Sequence, residues 1–183
     1  MGLRDRRENR RKERSEFGAG GSAARYQMRQ KLISFGDDYW IENGAGDRVL
    51  RVDGKALRLR KTLDIEDTQG IQMCRIQTRV LHIRDTMAIE RPDGEQMAKV
   101  HKAMLTPLRE RWKVDVAEGT DLEVQGNILD HEYDIEADGH KIAEVSKQWF
   151  RVRDTYGVQI APGADTLLVL SVAVALDIMT HPE

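Results

Sequence analysis

The chain has 183 residues, 40% of them hydrophobic and 33% charged, with a formal net charge of −2. That is enough apolar material for one core of ordinary size, and the mildly acidic balance makes a poor general nucleic-acid binder. The single cysteine, Cys74, rules out an internal disulfide and suits a reducing compartment.

The first segment is a basic arm. Arg4, Arg6, Arg7, Arg10, Arg11, Lys12 and Arg14 face four acids within residues 1–16, a net of 7 − 4 = +3, which leaves −2 − 3 = −5 for the remainder. No apolar period runs through it, so a solvated, disordered arm is predicted over residues 1–24, closed by the Gly-rich linker 18–24. Its interspersed acids favour a solubilising tail, with weak, salt-sensitive contact to an anionic lipid surface or RNA as the alternative. No apolar stretch follows the basic residues, so a secretory signal is not expected. The expected location is cytoplasmic, at most peripheral to a membrane.

From Arg25 onward a repeat of about 24 residues takes over. A four-residue signature recurs as Val49-Leu50-Arg51-Val52, Met73-Cys74-Arg75-Ile76, Met97-Ala98-Lys99-Val100, Asp121-Leu122-Glu123-Val124 and Ile142-Ala143-Glu144-Val145. A bulky residue, any residue, then Ile or Val precedes each copy: Tyr39/Ile41, Leu63/Ile65, Met87/Ile89, Trp112/Val114 and Tyr133/Ile135, with a sixth at Tyr156/Val158. Side chains alternate with period two, which signals strands. Leu50/Val52, Cys74/Ile76 and their counterparts share one face; Arg51, Arg75, Lys99, Glu123 and Glu144 take the other. A slip of one residue would bury those charges, so the register is set. Turn residues fall at 43–46, Gln69-Gly70, Asp93-Gly94, Glu118-Gly119 and Asp138-Gly139. Weaker turn signals lie at Gly36-Asp37, Arg60-Lys61-Thr62, Asp85-Thr86 and Asp154-Thr155. With a leading strand near Tyr26–Phe35, about twelve strands are predicted in a meander.

The last copy leads into an apolar run instead of a return strand. Leu167 to Met179 are apolar all round a helical wheel except at Asp177 and Ser171, with Asp165 as N-cap and Pro182 as the stop. A helix over about 165–179 is ~22 Å long, short of the ~30 Å a bilayer core requires, so no transmembrane span is expected. Twelve strands ~4.8 Å apart close on a radius of about 9 Å, room for a helix. The predicted fold is all-β with a central helix: a closed twelve-stranded antiparallel meander barrel enclosing a C-terminal hydrophobic α-helix, as one domain over residues 25–181. Small residues at Cys74, Ala98 and Ala143 would let the helix approach the wall.

Three stretches resemble the LURP-one-related family, which is grouped with the Tubby C-terminal domain and the phospholipid scramblases. They are Gln30-Lys31-Leu32-Ile33-Ser34-Phe35-Gly36-Asp37-Asp38-Tyr39, then the run from Val145 through Trp149-Phe150-Arg151-Val152-Arg153-Asp154 to Val158, then Asp165 through the Leu/Val/Ala run to Asp177. The resemblance covers roughly residues 25–180. It implies a Tubby C-terminal-like, scramblase-like barrel around its last helix and no established enzymatic activity. Scramblase relatives carry a proposed calcium-binding segment before that helix. Asp154 and Asp165 match its ends, but Gly163 stands where the relatives place an acid. The plainer readings are a turn residue and a helix cap. Tubby relatives bind phosphoinositides through basic residues that cannot be carried over one by one.

Other chemistry is sparse. The five histidines His82, His101, His131, His140 and His181 are dispersed, and exposed strand or turn positions are expected for them. Asp130-His131-Glu132 reads as a solvated turn. Trp40, Trp112 and Trp149 read as wall packing. No cofactor and no metal site are expected. Asp177 interrupts an apolar helix near its C-terminal end, where the helix dipole disfavours an anion. Either it lies at the barrel mouth beside a cation, or it is a functional acid in the lumen. The expected function is a non-catalytic binding or scaffold module with an unidentified protein partner. The alternatives are a peripheral protein that binds anionic lipid headgroups, or an enzyme using the lumen.

Overall fold

A computed structural model describes residues 23–29, 39–53, 62–81, 84–103, 111–149 and 155–180. Twelve antiparallel strands run in chain order: β1 (Ala24–Arg29), β2 (Tyr39–Asn43), β3 (Arg48–Asp53), β4 (Thr62–Glu66), β5 (Gln72–Leu81), β6 (Arg84–Glu90), β7 (Gln96–Lys102), β8 (Arg111–Val116), β9 (Leu122–Asn127), β10 (Glu132–Ala137), β11 (His140–Ser146) and β12 (Thr155–Ile160). Each pairs with its sequence neighbours, and β1 pairs with β12 to close the barrel, so no strand edge is left open. A 3-10 turn, Lys147–Trp149, follows β11, and helix α1 (Thr166–Thr180) ends the described chain.

The repeat in the sequence is a repeat of register. Each bulky residue faces the last residue of a signature: Tyr39 opposite Val52, Leu63 opposite Ile76, Met87 opposite Val100, Trp112 opposite Val124 and Tyr133 opposite Val145. Two residues on, Ile41 meets Leu50, Ile65 meets Cys74, Ile89 meets Ala98, Val114 meets Leu122 and Ile135 meets Ala143. In the sixth copy β1 supplies the partners: Met28 faces Tyr156, and Tyr26 faces Val158. Four of the hairpins slip register after the second pair, at 41/42, 65/66, 89/90 and 135/136. Bulges at one level add twist where the sheet must curl shut. Outward positions pair by charge: Arg51 with Glu66 at 2.6 Å, and Arg75 with Asp64 at 2.7 Å. Half-exposed pairs contribute ~0.2–1 kcal/mol each and chiefly fix the pairing.

Two glycine positions separate conformational need from crowding. Asp138 and Gly139 both have positive φ (50° and 76°), as a two-residue hairpin with the strands' own twist requires, and nothing lies within 4 Å of a Cβ added at Gly139. At Gly126, φ is 144° and an added Cβ would lie 2.5 Å from the Glu132 carbonyl oxygen and 2.6 Å from the Tyr133 Cα. Both are backbone atoms and cannot step aside. We expect Gly126→Ala to cost about 3 kcal/mol or more, and Gly139→Ala only about 1–2 kcal/mol, in urea unfolding.

The helix fills the lumen. Leu168 to Ile178 are all buried, as are most inward residues of the strands, with Tyr26 and Leu50 partly buried against them, so wall and helix form one core. A helix apolar on every side needs a surround, and the closed sheet supplies it. Asp165 caps the helix by accepting the Leu168 N–H at 3.0 Å. The strands in closest contact with α1 are β5, β6, β7 and β12. Cys74 on β5 and Ala98 on β7 are small there, as expected; Ala143 on β11 is buried but lies outside that closest set. The Cys74 Sγ and Ser171 Oγ are 3.2 Å apart. The Ser171 hydroxyl also donates to the Leu167 carbonyl at 2.7 Å, which leaves the thiol to donate to Ser171. No described helix is long and apolar enough to cross a membrane.

Some expectations moved. Asp85-Thr86 belong to β6 and make no turn, because β5 and β6 stay paired as far as Leu81 and Arg84. The leading strand is described to Arg29; its predicted continuation to Phe35 lies outside the described residues, as do Gly36-Asp37, Arg60-Lys61 and the basic arm from Arg4 to Arg14.

Candidate functional site

Every even-numbered strand enters the barrel at the same end, and there the bulky residues gather: Tyr39, Leu63, Met87, Trp112, Tyr133 and Tyr156, all buried. The helix starts at the opposite end, after β12, so its last turn reaches this layer. Asp177 therefore stands at the end of the lumen, 3% exposed.

Its partner is His131, 1% exposed. The imidazole Nε2–H donates to Asp177 Oδ1 at 2.7 Å. Asp177 is buried, and one of its partners is the His131 imidazole. The expectation for His131 needs correcting. His131 is no exposed turn residue. The turn Ile128–His131 explains why. The His131 N–H donates to the Ile128 carbonyl at 3.0 Å, and φ of 52° aims the side chain inward. His131, Tyr133 and Ile135 then share the inner face. Glu132, the next residue, points away and accepts from the Ser146 hydroxyl at 2.9 Å and the Lys147 N–H at 2.9 Å. The Tyr156 ring lies over the imidazole, centroids 4.2 Å apart and tilted by 31°.

The surroundings hold the phenols in their neutral form. Burial first, and the charge of Asp177 second, raise the ionisation of Tyr39, Tyr133 and Tyr156 well above the usual phenol range. Burial likewise pushes the Cys74 thiol up to about 11. These four groups keep their protons in the folded state at pH values where the unfolded chain loses them. The folded state then binds more protons, so stability falls as pH rises, from about 9 for the thiol and about 10 for the phenols, by up to roughly 1.4 kcal/mol per pH unit for each such group. Three of the four tyrosines should resist tyrosinate formation, followed by absorbance, until the barrel unfolds.

The other candidate residues do not join this site. Asp165 is the helix cap at the opposite end. Asp154, the arm from Arg4 to Arg14, His82 and His181 lie outside the described residues. Among the described residues no three His, Cys, Asp or Glu side chains are placed to hold a metal ion. On the outer wall the Arg48 guanidinium covers the Trp40 ring, and that of Arg25 covers Trp149, each at 5.1 Å. Trp112 alone of the three tryptophans is buried in the layer around Asp177. The charge of the wall is uneven. Residues 111–146, which carry β8 to β11, hold three Lys/Arg against ten Asp/Glu, a net of 3 − 10 = −7. A shallow groove of about 500 Å³ opens there, lined by Lys113, Asp115, Asp121, Glu123, Glu136 and Asp138 among others.

The sequence model of the family described as LURP-one-related matches residues 24–177. A protein of Arabidopsis thaliana solved by X-ray shares the fold, with a TM-score of 0.63 at 15% identity over 86% of this chain and 92% of that one. No curated protein matches the chain. The matched span takes in all twelve strands and the helix as far as Asp177, and on that ground the chain belongs to the LURP-one-related family.

Proposed function

We propose that this protein is a non-catalytic binding or scaffold module inside the cell. The observation that supports it best is the filled lumen. A barrel enzyme holds its substrate in the barrel or its mouth, and here eleven consecutive buried residues of α1 occupy that space. The most enzyme-like group, His131 with Asp177, is closed off from solvent. Recognition then falls to the outer wall and the loops. Affinity capture with the full chain should recover a polypeptide that binds saturably and equally well to His131→Asn, provided that variant folds. Turnover of any substrate class that is lost in His131→Asn would refute the reading.

A second reading, contact with anionic lipid headgroups, draws support from the two arginine-covered tryptophans. They lie on the β1–β3 side and beside β12, away from the acidic β8–β11 sector. Indoles with cations beside them suit a headgroup region. Flotation with anionic vesicles should show binding that weakens with salt and falls in Trp40→Ala/Arg48→Glu. The same assay without residues 1–24 separates the arm from the wall. No binding at low salt in either form removes this reading.

A further inference from the structure

The outer wall is most acidic toward the end of the barrel where α1 starts. There the turns 117–121 and 138–139, with the strands that enter them, frame the groove of about 500 Å³. Its lining holds Asp115, Asp121, Glu123, Glu136 and Asp138 against one cation, Lys113. Glu123 on β9 stands directly opposite Glu136 on β10. Like charges in facing positions weaken a strand pair, whereas the outward pairs on β3 to β5 join Arg51 to Glu66 and Arg75 to Asp64. A sheet face that keeps two carboxylates opposed gains from a cationic segment laid over it.

The chain itself supplies such a segment. Residues 1–16 carry a net +3. The rest of the sequence gives them no rival partner. Residues 39–81 hold eight Lys/Arg against six Asp/Glu, a net of 8 − 6 = +2, and residues 84–103 hold four of each. Only the β8–β11 sector, at −7, has the opposite sign in strength. The exit point is also right. Ala24 faces Ile160, the last residue of β12, so the chain ahead of β1 leaves the barrel at the end where the groove lies. Only β12 and β11 separate β1 from β10, three strand spacings or about 14 Å along the wall. Residues 15–23 can span up to about 30 Å, enough to bring residues 4–14 over the groove. A short tether gives its segment an effective concentration on the order of millimolar, which favours the arm of the same chain over that of a second copy.

We propose that the basic N-terminal arm docks on the acidic groove of its own barrel, with its arginines over Glu123, Glu136 and their neighbours. Any basic partner for this face must then displace the arm. Asn9→Cys puts one reactive thiol in the arm without changing its charge, because Cys74 is fully buried. A nitroxide attached there, on the full chain, should broaden the amide signals of residues 113–123 and 136–139 at low salt. In about 1 M salt, where the Debye length is ~3 Å, the broadening should be largely lost. Arg10→Glu/Arg11→Glu in the arm and Glu123→Gln/Glu136→Gln in the groove should each reduce it several-fold. The arm variant alters no strand, so the test stands even if the groove variant does not fold. Broadening that is absent, spread evenly round the wall, or indifferent to salt and to the arm variant overturns the proposal. Broadening that passes from labelled to unlabelled copies overturns it as well, since the arm would then lie on a second molecule.

Discussion

Leu170→Asp is expected to leave the chain unable to fold. Leu170 is fully buried in the middle of α1, with wall on all sides and no route for a carboxylate to reach water. An isolated charge in such a site costs far more than the ~5–15 kcal/mol that holds a typical domain together. Removal of residues 165–183 should have the same outcome for a different reason. Fully burying a Val, Leu or Ile side chain contributes about 1.5–3 kcal/mol, and α1 buries seven of them: Leu168, Val169, Leu170, Val172, Val174, Leu176 and Ile178. The wall without the helix would expose its whole inner face. Near-ultraviolet circular dichroism and analytical ultracentrifugation of both variants should show lost tertiary packing and association. Leu170→Met, which keeps the volume, should fold and cost less than ~1.5 kcal/mol. A folded, monomeric Leu170→Asp would mean that the helix is not in the lumen.

The second large effect is at the His131–Asp177 pair. Removing one member of a buried pair leaves the other desolvated without its partner, at about 3–5 kcal/mol, whereas replacing both with apolar groups is often close to neutral. His131→Leu should therefore be severely destabilising, and His131→Leu/Asp177→Leu should recover a large part of the loss. A double-mutant cycle in urea reads this as a coupling energy of at least ~2 kcal/mol. Additive single effects would show that the two residues act independently. The pair joins the β9–β10 turn to the last turn of α1, residues 46 apart in sequence, so its loss should also raise hydrogen exchange at the end of the helix.

The barrel was legible because its register repeats. Tyr39, Leu63, Met87, Trp112, Tyr133 and Tyr156 recur at matching steps, and only a closed sheet gives an all-apolar helix a surround on every side. The bulges after Ile41, Ile65, Ile89 and Ile135 were not legible, since a single extra residue leaves no mark in an alternating pattern. Asp177 stood out as a carboxylate on an apolar helix. Its partner did not, because His131 sits between acids in a turn, where solvation is the ordinary expectation. The signal that would have found it is parity: 131, 133 and 135 share a face, and two of the three residues there are the bulky-x-Ile motif. The left-handed φ of His131 that makes this possible is a property of the folded turn and not of the local sequence. The acidic sector was hidden for a simpler reason. The arm's net +3 and the small positive remainder mask the −7 of residues 111–146 in the total.

The thread through all of this is that α1 runs inside the sheet, and one cysteine pair tests it most directly. Cys74 faces the lumen, with its Sγ 3.2 Å from Ser171 Oγ, while its neighbours Met73 and Arg75 face outward. Ser171→Cys places a second thiol beside the only native one. The folded variant, oxidised during refolding and analysed by mass spectrometry after digestion without reductant, should contain a 74–171 disulfide within one chain. Recovery of two free thiols, or of disulfides only between chains, from a folded protein would place the helix somewhere other than the lumen.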